Sequence, residues 1–266
     1  MKTELSIITV DYNSSKYLIP CINTIKNHLK NLNYEIVVVD NASKENHLAE
    51  YEKIDPDTVR TFRTEKNLGF GGGNNYGVSK ASGRYVLLLN PDTEIVDDSI
   101  LKMFQCLESH PEIGALTCLL IQEDKKTIQE NYFGRFQTLK SIISRSEGKP
   151  LPQNGNLIMA ERISAAAMML KKTTFEQAGG FDENFFMYME DDDLCKKITI
   201  LGFSNAVYID AKIIHYEGKS SLTKQKKNWY YRSQSYFWKK HYGLFATIVM
   251  QVIRWPYKIY KLYISV

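Results

Sequence analysis

Glu35–Asp40 reads EIVVVD, four apolar residues in a row, all β-branched, closed by an aspartate. Such a run has no polar face, so it predicts a strand covered on both sides, with Asp40 at its carboxyl end. Upstream, Leu5–Val10 is a similar run and stops before Asp11; downstream, Tyr85–Leu89 is another and is followed by Asn90-Pro91-Asp92. Between these runs the spacing turns helical. Lys16–Leu32 sets Leu18, Ile22, Ile25 and Leu29 on one face, and further helices are predicted near Glu45–Lys53, up to Ser82, and over Ser99–Ser109. Thr58–Phe62 and Gly114–Ile121 read as strands. This alternation predicts an α/β fold, with a mostly parallel central sheet flanked by helices. Ligands of such sheets sit beyond the carboxyl ends of the strands, where Asp11, Asp40 and Asp92 fall.

The chain has 266 residues, enough for one α/β domain with a full core and an appendage. Its 44% hydrophobic and 24% charged residues are ordinary for a globular protein. Cys21, Cys106, Cys118 and Cys195 are scattered, with no CxxC and no Cys/His pairing. That argues against a zinc site or a disulfide framework and fits a reducing cytoplasm. The start, MKTELSIITV, runs directly into a strand pattern, and its apolar stretch is too interrupted for a signal peptide. Residues 122–157 carry little periodicity and include Pro150 and Pro152, which predicts a long surface excursion. Regular structure resumes with the apolar run Ile163–Lys171.

Phe181–Cys195 (FDENFFMYMEDDDLC) sets Glu190, Asp191, Asp192 and Asp193 directly behind an aromatic run. Adjacent carboxylates repel, more so where aromatics exclude water, so a cation, a helix N-terminus or a proton in transit must offset the charge. Two readings follow: a metal-assisted site shared with Asp92, or a solvated acidic helix start. The second suits Asp192 and Asp193 better. Asn67–Gly77 (NLGFGGGNNYG) predicts a glycine-rich loop before a helix, with backbone N–H groups free to approach a phosphate. Asn74 and Asn75 also suit the capping of that helix. The stretch does not match GxGxxG. Gly218-Lys219-Ser220 mimics the end of a P-loop, but Ile213 stands where its first glycine belongs.

Taken in order, these segments resemble the inverting nucleotide-sugar transferases of glycosyltransferase family 2, which have the GT-A fold. The resemblance spans roughly residues 4–243. It is carried by SIITVDYNSS at 6–15, VVVDNAS at 37–43, NLGFGGGNNYG at 67–77, LLLNPDTE at 87–94, and the stretch from GGFDENFFMYMEDDDL to HYEGKSS at 179–221. Within the family the likeness is nearest to bacterial rhamnosyltransferase-like enzymes of cell-wall and O-antigen assembly. The resemblance implies that Val10, Tyr12 and Asp40 line a nucleoside pocket and that Asn67, Gly71, Asn74 and Asn90 lie along the donor. Asn90-Pro91-Asp92 stands where the family has its D-x-D metal motif, so Asp92 alone supplies a carboxylate there. His215 would complete the shell of Mn²⁺ or Mg²⁺, although a lone strand-end histidine is also an ordinary polar terminus. Asp191 matches the general base, with Glu190 and Asp192 beside the acceptor. Like-charge repulsion from Glu190, Asp192 and Asp193 would raise the proton affinity of Asp191.

The implied activity is metal-dependent, inverting transfer of rhamnose or a similar hexose. The donor would be a dTDP- or UDP-linked sugar, and the acceptor a lipid-linked or growing saccharide of a cell-surface polysaccharide. A nucleotidyltransferase is the alternative enzyme, but Asp11–Lys16 (DYNSSK) has no glycine or arginine for a triphosphate loop. A non-catalytic membrane-bound subunit of an assembly complex is the other alternative.

The net charge of +4 hides an asymmetry. From Lys219 to Val266 there are ten Lys or Arg and no acid, and all three tryptophans lie there. Residues 1–225 read as the catalytic domain and residues 226–266 as a helical extension, with helices over Asn228–Tyr242 and Phe245–Tyr263. In the second helix, Phe245, Ile248, Val249, Val252, Ile253 and Trp255 form an apolar stripe, with Arg254, Lys258 and Lys261 placed to meet lipid phosphates. The stripe is too short to span a bilayer. The expected location is therefore cytoplasmic, peripheral on the inner face of the cell membrane. The rival reading packs both helices on the domain. Nucleic acid is excluded as a partner, because no binding motif is present and the acidic body opposes a polyanion.

Overall fold

The computed structural model describes residues 2–144, 151–216 and 224–264. The first third alternates as the sequence predicts: β1 (Leu5–Asp11), α1 (Ser15–His28), β2 (Tyr34–Asp40), α2 (Leu48–Ile54), β3 (Val59–Arg63), α3 (Gly69–Lys80) and β4 (Tyr85–Leu89). α1 ends four residues before Leu32. Leu29 is extended and Asn31 takes φ 61, a left-handed turn that asparagine tolerates. Next come β5 (Thr93–Glu94), α4 (Ser99–Ser109), β6 (Ile113–Ile121), β7 (Phe133–Gly134), α5 (Leu139–Ser144), β8 (Gln153–Asn154) and β9 (Leu157–Ala160). The chain continues through β10 (Arg162–Ile163), β11 (Ala167–Lys171), α6 (Lys172–Gln177), α7 (Glu190–Ile200), β12 (Ser204–His215) and α8 (Lys224–Ile264).

The sheet order is β3-β2-β1-β4-β11-β6-β12-β9-β8, with β5 paired to β12. The first four strands are parallel, and Ile8 pairs with Val37 on one side and Leu88 on the other. β11 enters antiparallel between β4 and β6, β12 lies parallel to β6, and β9 and β8 return antiparallel. The sheet is therefore mixed. A fully apolar strand reads the same in either direction, so the run at 163–171 gave no sign of the reversal. Side chains alternate between the two faces. Ile7, Val38 and Leu87 pack with Leu18, Ile22 and Met103 of α1 and α4; Ile8, Val37, Val39 and Leu88 pack with Val78, Phe175 and Leu194 of α3, α6 and α7.

The glycine-rich stretch is not a loop. From Gly69 onward it forms α3 itself. Each helical glycine costs roughly 0.5–1 kcal/mol relative to alanine, so close contact must offset several of them. A Cβ on Gly77 would lie 2.4 Å from Ile8 Cγ2, and one on Gly73 2.8 Å from Val10 Cγ1. The missing side chains let α3 lie directly on the sheet. Asn74 and Asn75 sit inside this helix and do not cap it. Asn74 Nδ2 donates to the Phe70 carbonyl (3.0 Å), and Asn75 holds the backbone of Phe181 through both its amide atoms, each at 2.9 Å.

Within residues 122–157 there is more order than the sequence suggested: β7 pairs with β10 and β8 with β9. Pro150 and Gly218-Lys219-Ser220 lie outside the described residues. The tail forms the two predicted helices, broken at Gly243 (φ 85, ψ 171). Phe237, Trp238 and Met250 from the tail cluster with Phe185 and Met189 from the loop before α7. Among the described residues, no helix is long and apolar enough to cross a membrane.

Candidate active site

β4 ends at Leu89, and the chain turns through Asn90-Pro91-Asp92 into β5, where Thr93 pairs with His215 at the end of β12. This pairing sets Asp92 beside His215 although 123 residues separate them. His215 Nε2 is 3.4 Å from Asp92 Oδ1, and Asn90 Nδ2 is 3.3 Å from the same nitrogen. Gln129 fixes the ring. Its Nε2 donates to the His215 carbonyl (2.6 Å), and its Oε1 lies 3.0 Å from His215 Nδ1. A carbonyl oxygen only accepts, so Nδ1 carries a proton and Nε2 is the ring nitrogen turned toward Asp92 and Asn90. Gln129 comes from the polar excursion, and nothing local in the sequence marks it.

Among the described residues no three His, Cys, Asp or Glu side chains gather as a metal group. The chain thus offers one carboxylate and one imidazole, with the Asn90 amide beside them. Donors bound at about 2.0–2.2 Å to one divalent ion stand roughly 3–3.5 Å apart, as Asp92 Oδ1 and His215 Nε2 do at 3.4 Å. The set fits a hard divalent cation whose other positions are filled by substrate or water oxygens.

The acid run begins α7. Two residues ahead of it, Tyr188 and Met189, take φ 71 and 67, left-handed conformations that cost on the order of 1–2 kcal/mol each for residues with a Cβ. Packing holds this turn. Ser233 Oγ donates to the Met187 carbonyl (2.8 Å), Phe186 and Trp229 ring centroids are 5.0 Å apart, and the Phe70 N–H donates to the Phe186 carbonyl (3.1 Å). Gly69, at φ 76, leaves room for that approach, since a Cβ there would meet the Phe186 oxygen at 2.3 Å.

Of the four acids, only Asp191 is partly exposed. Burial raises its carboxyl above the usual range, opposed by the Asp192 N–H (2.9 Å), the Arg162 charge and a backbone hydrogen bond from Ala165. Burial, reinforced by the Asp191 charge, pushes Glu190 up to about 8 and Asp192 up to about 7. The rise at Asp191 has the expected direction, with burial as its leading cause, while repulsion by the Asp191 charge adds to the rises at Glu190 and Asp192. Asp191 has donors and a cation; Glu190 Oε2 has no hydrogen-bond partner among the described residues. Asp193 is not a solvated helix-start charge either. It is fully buried, with Oδ1 2.7 Å from His241 Nε2 and 2.8 Å from Lys240 Nζ, and Oδ2 3.3 Å from Lys197 Nζ.

Two adjacent residues before β11 join these halves. Ala165 bonds to Asp191, and the Ala166 carbonyl accepts from the Asn90 N–H at 2.9 Å. At the other strand ends, Tyr12 is 51% exposed, and Val10 lies beneath Gly73. Asp40 is buried, with Oδ1 accepting from the Ser43 N–H (2.8 Å) and Oδ2 from Arg63 (2.7 Å). Asn67 Oδ1 accepts from the Gly69 N–H (2.8 Å) and from Asn41 Nδ2 (3.1 Å). Asn41 also receives the Leu68 N–H and so ties the end of β2 to the start of α3. Its place directly after Asp40 was the one signal that could have singled it out. Gly71 packs against Phe181, and Asn74 is buried on its own helix.

A family model described as Glycosyl transferase family 2 matches residues 6–174. The low-salt glycan biosynthesis hexosyltransferase Agl10 of Haloferax volcanii is 29% identical over 204 residues, covering 73% of this chain and 61% of that protein. The N-acetylglucosaminyl-diphospho-decaprenol L-rhamnosyltransferase of Mycobacterium tuberculosis is 25% identical, covering 61% of this chain and 60% of that one. The chain thus spans about three-fifths of the length of these two relatives. The crystal structure of GalNAc-T7 with UDP, GalNAc and Mn²⁺ matches 97% of this chain and 55% of its own, with a TM-score of 0.66 at 15% identity. A likeness at that identity speaks for the fold, which is GT-A with a C-terminal helix.

Proposed function

Because the chain belongs to glycosyltransferase family 2, we propose that it moves a hexose, rhamnose or a similar sugar, from a dTDP- or UDP-linked donor to a lipid-linked or growing saccharide in cell-surface polysaccharide synthesis, inverting the anomeric centre. The observation that supports this reading best is the convergence of two sites: Asp92 with His215, and Asp191, bridged by Ala165–Ala166. The relatives' names lend support to the substrate classes, one being called a hexosyltransferase and the other a rhamnosyltransferase acting on a diphospho-decaprenol.

In this reading Asp92 and His215 hold Mn²⁺ or Mg²⁺, with Asn90 beside them. The bound ion supplies positive charge to the leaving diphosphate. Asp191 accepts the proton of the acceptor hydroxyl as that oxygen attacks the anomeric carbon from the face opposite the diphosphate. The start of α7 suits this carboxylate, because the exposed N–H groups of a helix N-terminus favour negative charge. Glu190, with its carboxyl pushed up to about 8, and Asp192, pushed up to about 7, limit through the protons they retain the negative charge that a phosphorylated donor must approach. Val10, Tyr12 and Asp40 line the nucleoside side, with Asn67, Gly71 and Asn74 along the donor. Residues 1–225 make up the catalytic unit and residues 226–266 its extension.

The test is thermal stabilisation by UDP, TDP and GDP, each with Mn²⁺, followed by transfer assays. A ligand at 100 times its Kd that binds only the folded state stabilises it by about 2.7 kcal/mol. Asp92→Ala is expected to remove the Mn²⁺-dependent part of that stabilisation and to abolish transfer. Full transfer by this variant, or full transfer in EDTA, overturns the metal role.

A further inference from the structure

The break at Gly243 folds α8 into a hairpin. Gln251 Nε2 donates to Ser235 Oγ at 3.2 Å, and the Arg254 guanidinium lies 4.1 Å from the centre of the Tyr231 ring. In one straight helix, residues 16 positions apart would stand about 24 Å apart. The two pairs run in opposite directions from Gly243, so the second arm packs antiparallel on the first. Its inner face is Ala246, Thr247, Met250 and Arg254, with Met250 fully buried against Phe185 and Phe237. Arg254 therefore stacks on Tyr231 and does not point toward lipid as the stripe suggested.

The outer face is different. Leu244, Phe245, Ile248, Val252 and Trp255 are 50–82% exposed. Positions 244, 248, 252 and 255 recur at helical spacing, so these side chains form one continuous strip. A contiguous exposed apolar strip marks an interaction surface. The segment from Lys219 to Val266 carries ten cations and no acid, which is complementary to an anionic surface and poorly suited to pairing with a second copy of itself. Among the described residues no helix can cross a bilayer, so the arm would lie in the interface.

We infer that the outer face of this second arm docks the protein on an anionic lipid bilayer. The first arm is bonded to Met187 through Ser233 and to Asp193 through Lys240 and His241. Docking thus seats the helix that bears Asp191 at a defined height above the bilayer. This use of the surface rests on the proposed transfer to a lipid-linked acceptor; the docking itself does not.

Flotation of the full chain with vesicles of phosphatidylcholine alone, or of phosphatidylcholine with phosphatidylglycerol, tests it at low and high salt. The wild type is expected to float with the anionic vesicles, more weakly at high salt. Combined Phe245→Ser, Ile248→Ser and Val252→Ser is expected to lower partitioning roughly tenfold or more, because apolar insertion scales with buried area. UDP–Mn²⁺ stabilisation should be unchanged in that variant, which also certifies its folding. Wild type that stays unbound, or a triple variant that floats equally well, overturns the inference. So does a wild-type dimer that the triple variant converts to a monomer, since a second copy would then cover the strip. Flotation without UDP, TDP or GDP stabilisation would instead count against the transferase reading and leave the docking intact.

Discussion

His241 Nε2 lies 2.7 Å from Asp193 Oδ1, a bond that ties the C-terminal hairpin to the helix carrying the acid run. Lys240 and Lys197 approach the same carboxylate, and Lys240 also reaches Asp182 at 2.7 Å. A fully buried acid among three basic groups is costly to remove, because Lys197 loses its carboxylate partner and His241 its acceptor, while Lys240 keeps Asp182. Asp193→Ala is expected to destabilise the fold by about 3–5 kcal/mol. A lower urea midpoint measures this, and an unchanged midpoint would mean the cluster adds nothing.

Asp191→Asn keeps the shape of the side chain and removes the proton acceptor. Turnover is expected to fall roughly 10²–10⁴-fold while UDP–Mn²⁺ stabilisation stays near wild type. Asp192→Asn should do much less, because Asp192 is buried while Asp191 is partly exposed to an incoming hydroxyl. A larger loss from Asp192→Asn than from Asp191→Asn would move the base to the neighbouring residue.

Stability should depend on pH through Glu190. Burial pushes its carboxyl from the ordinary 4.5 up to about 8, so the native state keeps a proton that the unfolded chain releases. The contribution is complete below about pH 4.5 and is lost as pH rises through about 8. Asp192 acts in the same direction, with its own rise to about 7. The thermal midpoint is expected to decline across this window, and Glu190→Gln to flatten the decline. A slope that survives Glu190→Gln unchanged would place the titration elsewhere.

Gly77→Ala sets two effects against each other. Helix propensity favours alanine by about 0.8–1 kcal/mol. The new Cβ would stand 2.4 Å from Ile8 Cγ2 and 3.1 Å from Val39 Cγ2, both on buried strands. Overpacking of that kind costs about 1–3 kcal/mol, so net destabilisation is expected in chemical denaturation. A stabilised variant would show that α3 can lift from the sheet at little cost.

Much of the parallel half was legible in the chain. Buried strands betray themselves as unbroken apolar runs and helices by their three- and four-residue spacing, both local properties. That is why Leu5–Asp11, Tyr34–Asp40, Tyr85–Leu89 and Ser99–Ser109 match their predicted bounds to within a residue. Asp92 stood out for the same reason, as an acid closing an apolar strand, whereas Asp191 and His215 were singled out by the resemblance to glycosyltransferase family 2.

The sequence by itself determined the alternation of strands and helices, the acids at their ends, and the basic, aromatic character of the tail. Only the tertiary structure decided that β11 runs antiparallel, that five glycines lie within a helix pressed on the sheet, and that Gln129 orients His215. It also decided that Asp193 is a structural anchor while Asp191, two residues away, is partly exposed and accepts from the Asp192 N–H, and that Arg254 turns inward as Phe245 turns outward. These outcomes depend on which distant groups exclude water from a side chain or supply it with a donor. Gly77 meets Ile8, and Asp193 meets His241, only once the chain has closed. Identical neighbouring acids then find different surroundings, and burial and hydrogen bonding, not residue type, set the free energy of each ionised form.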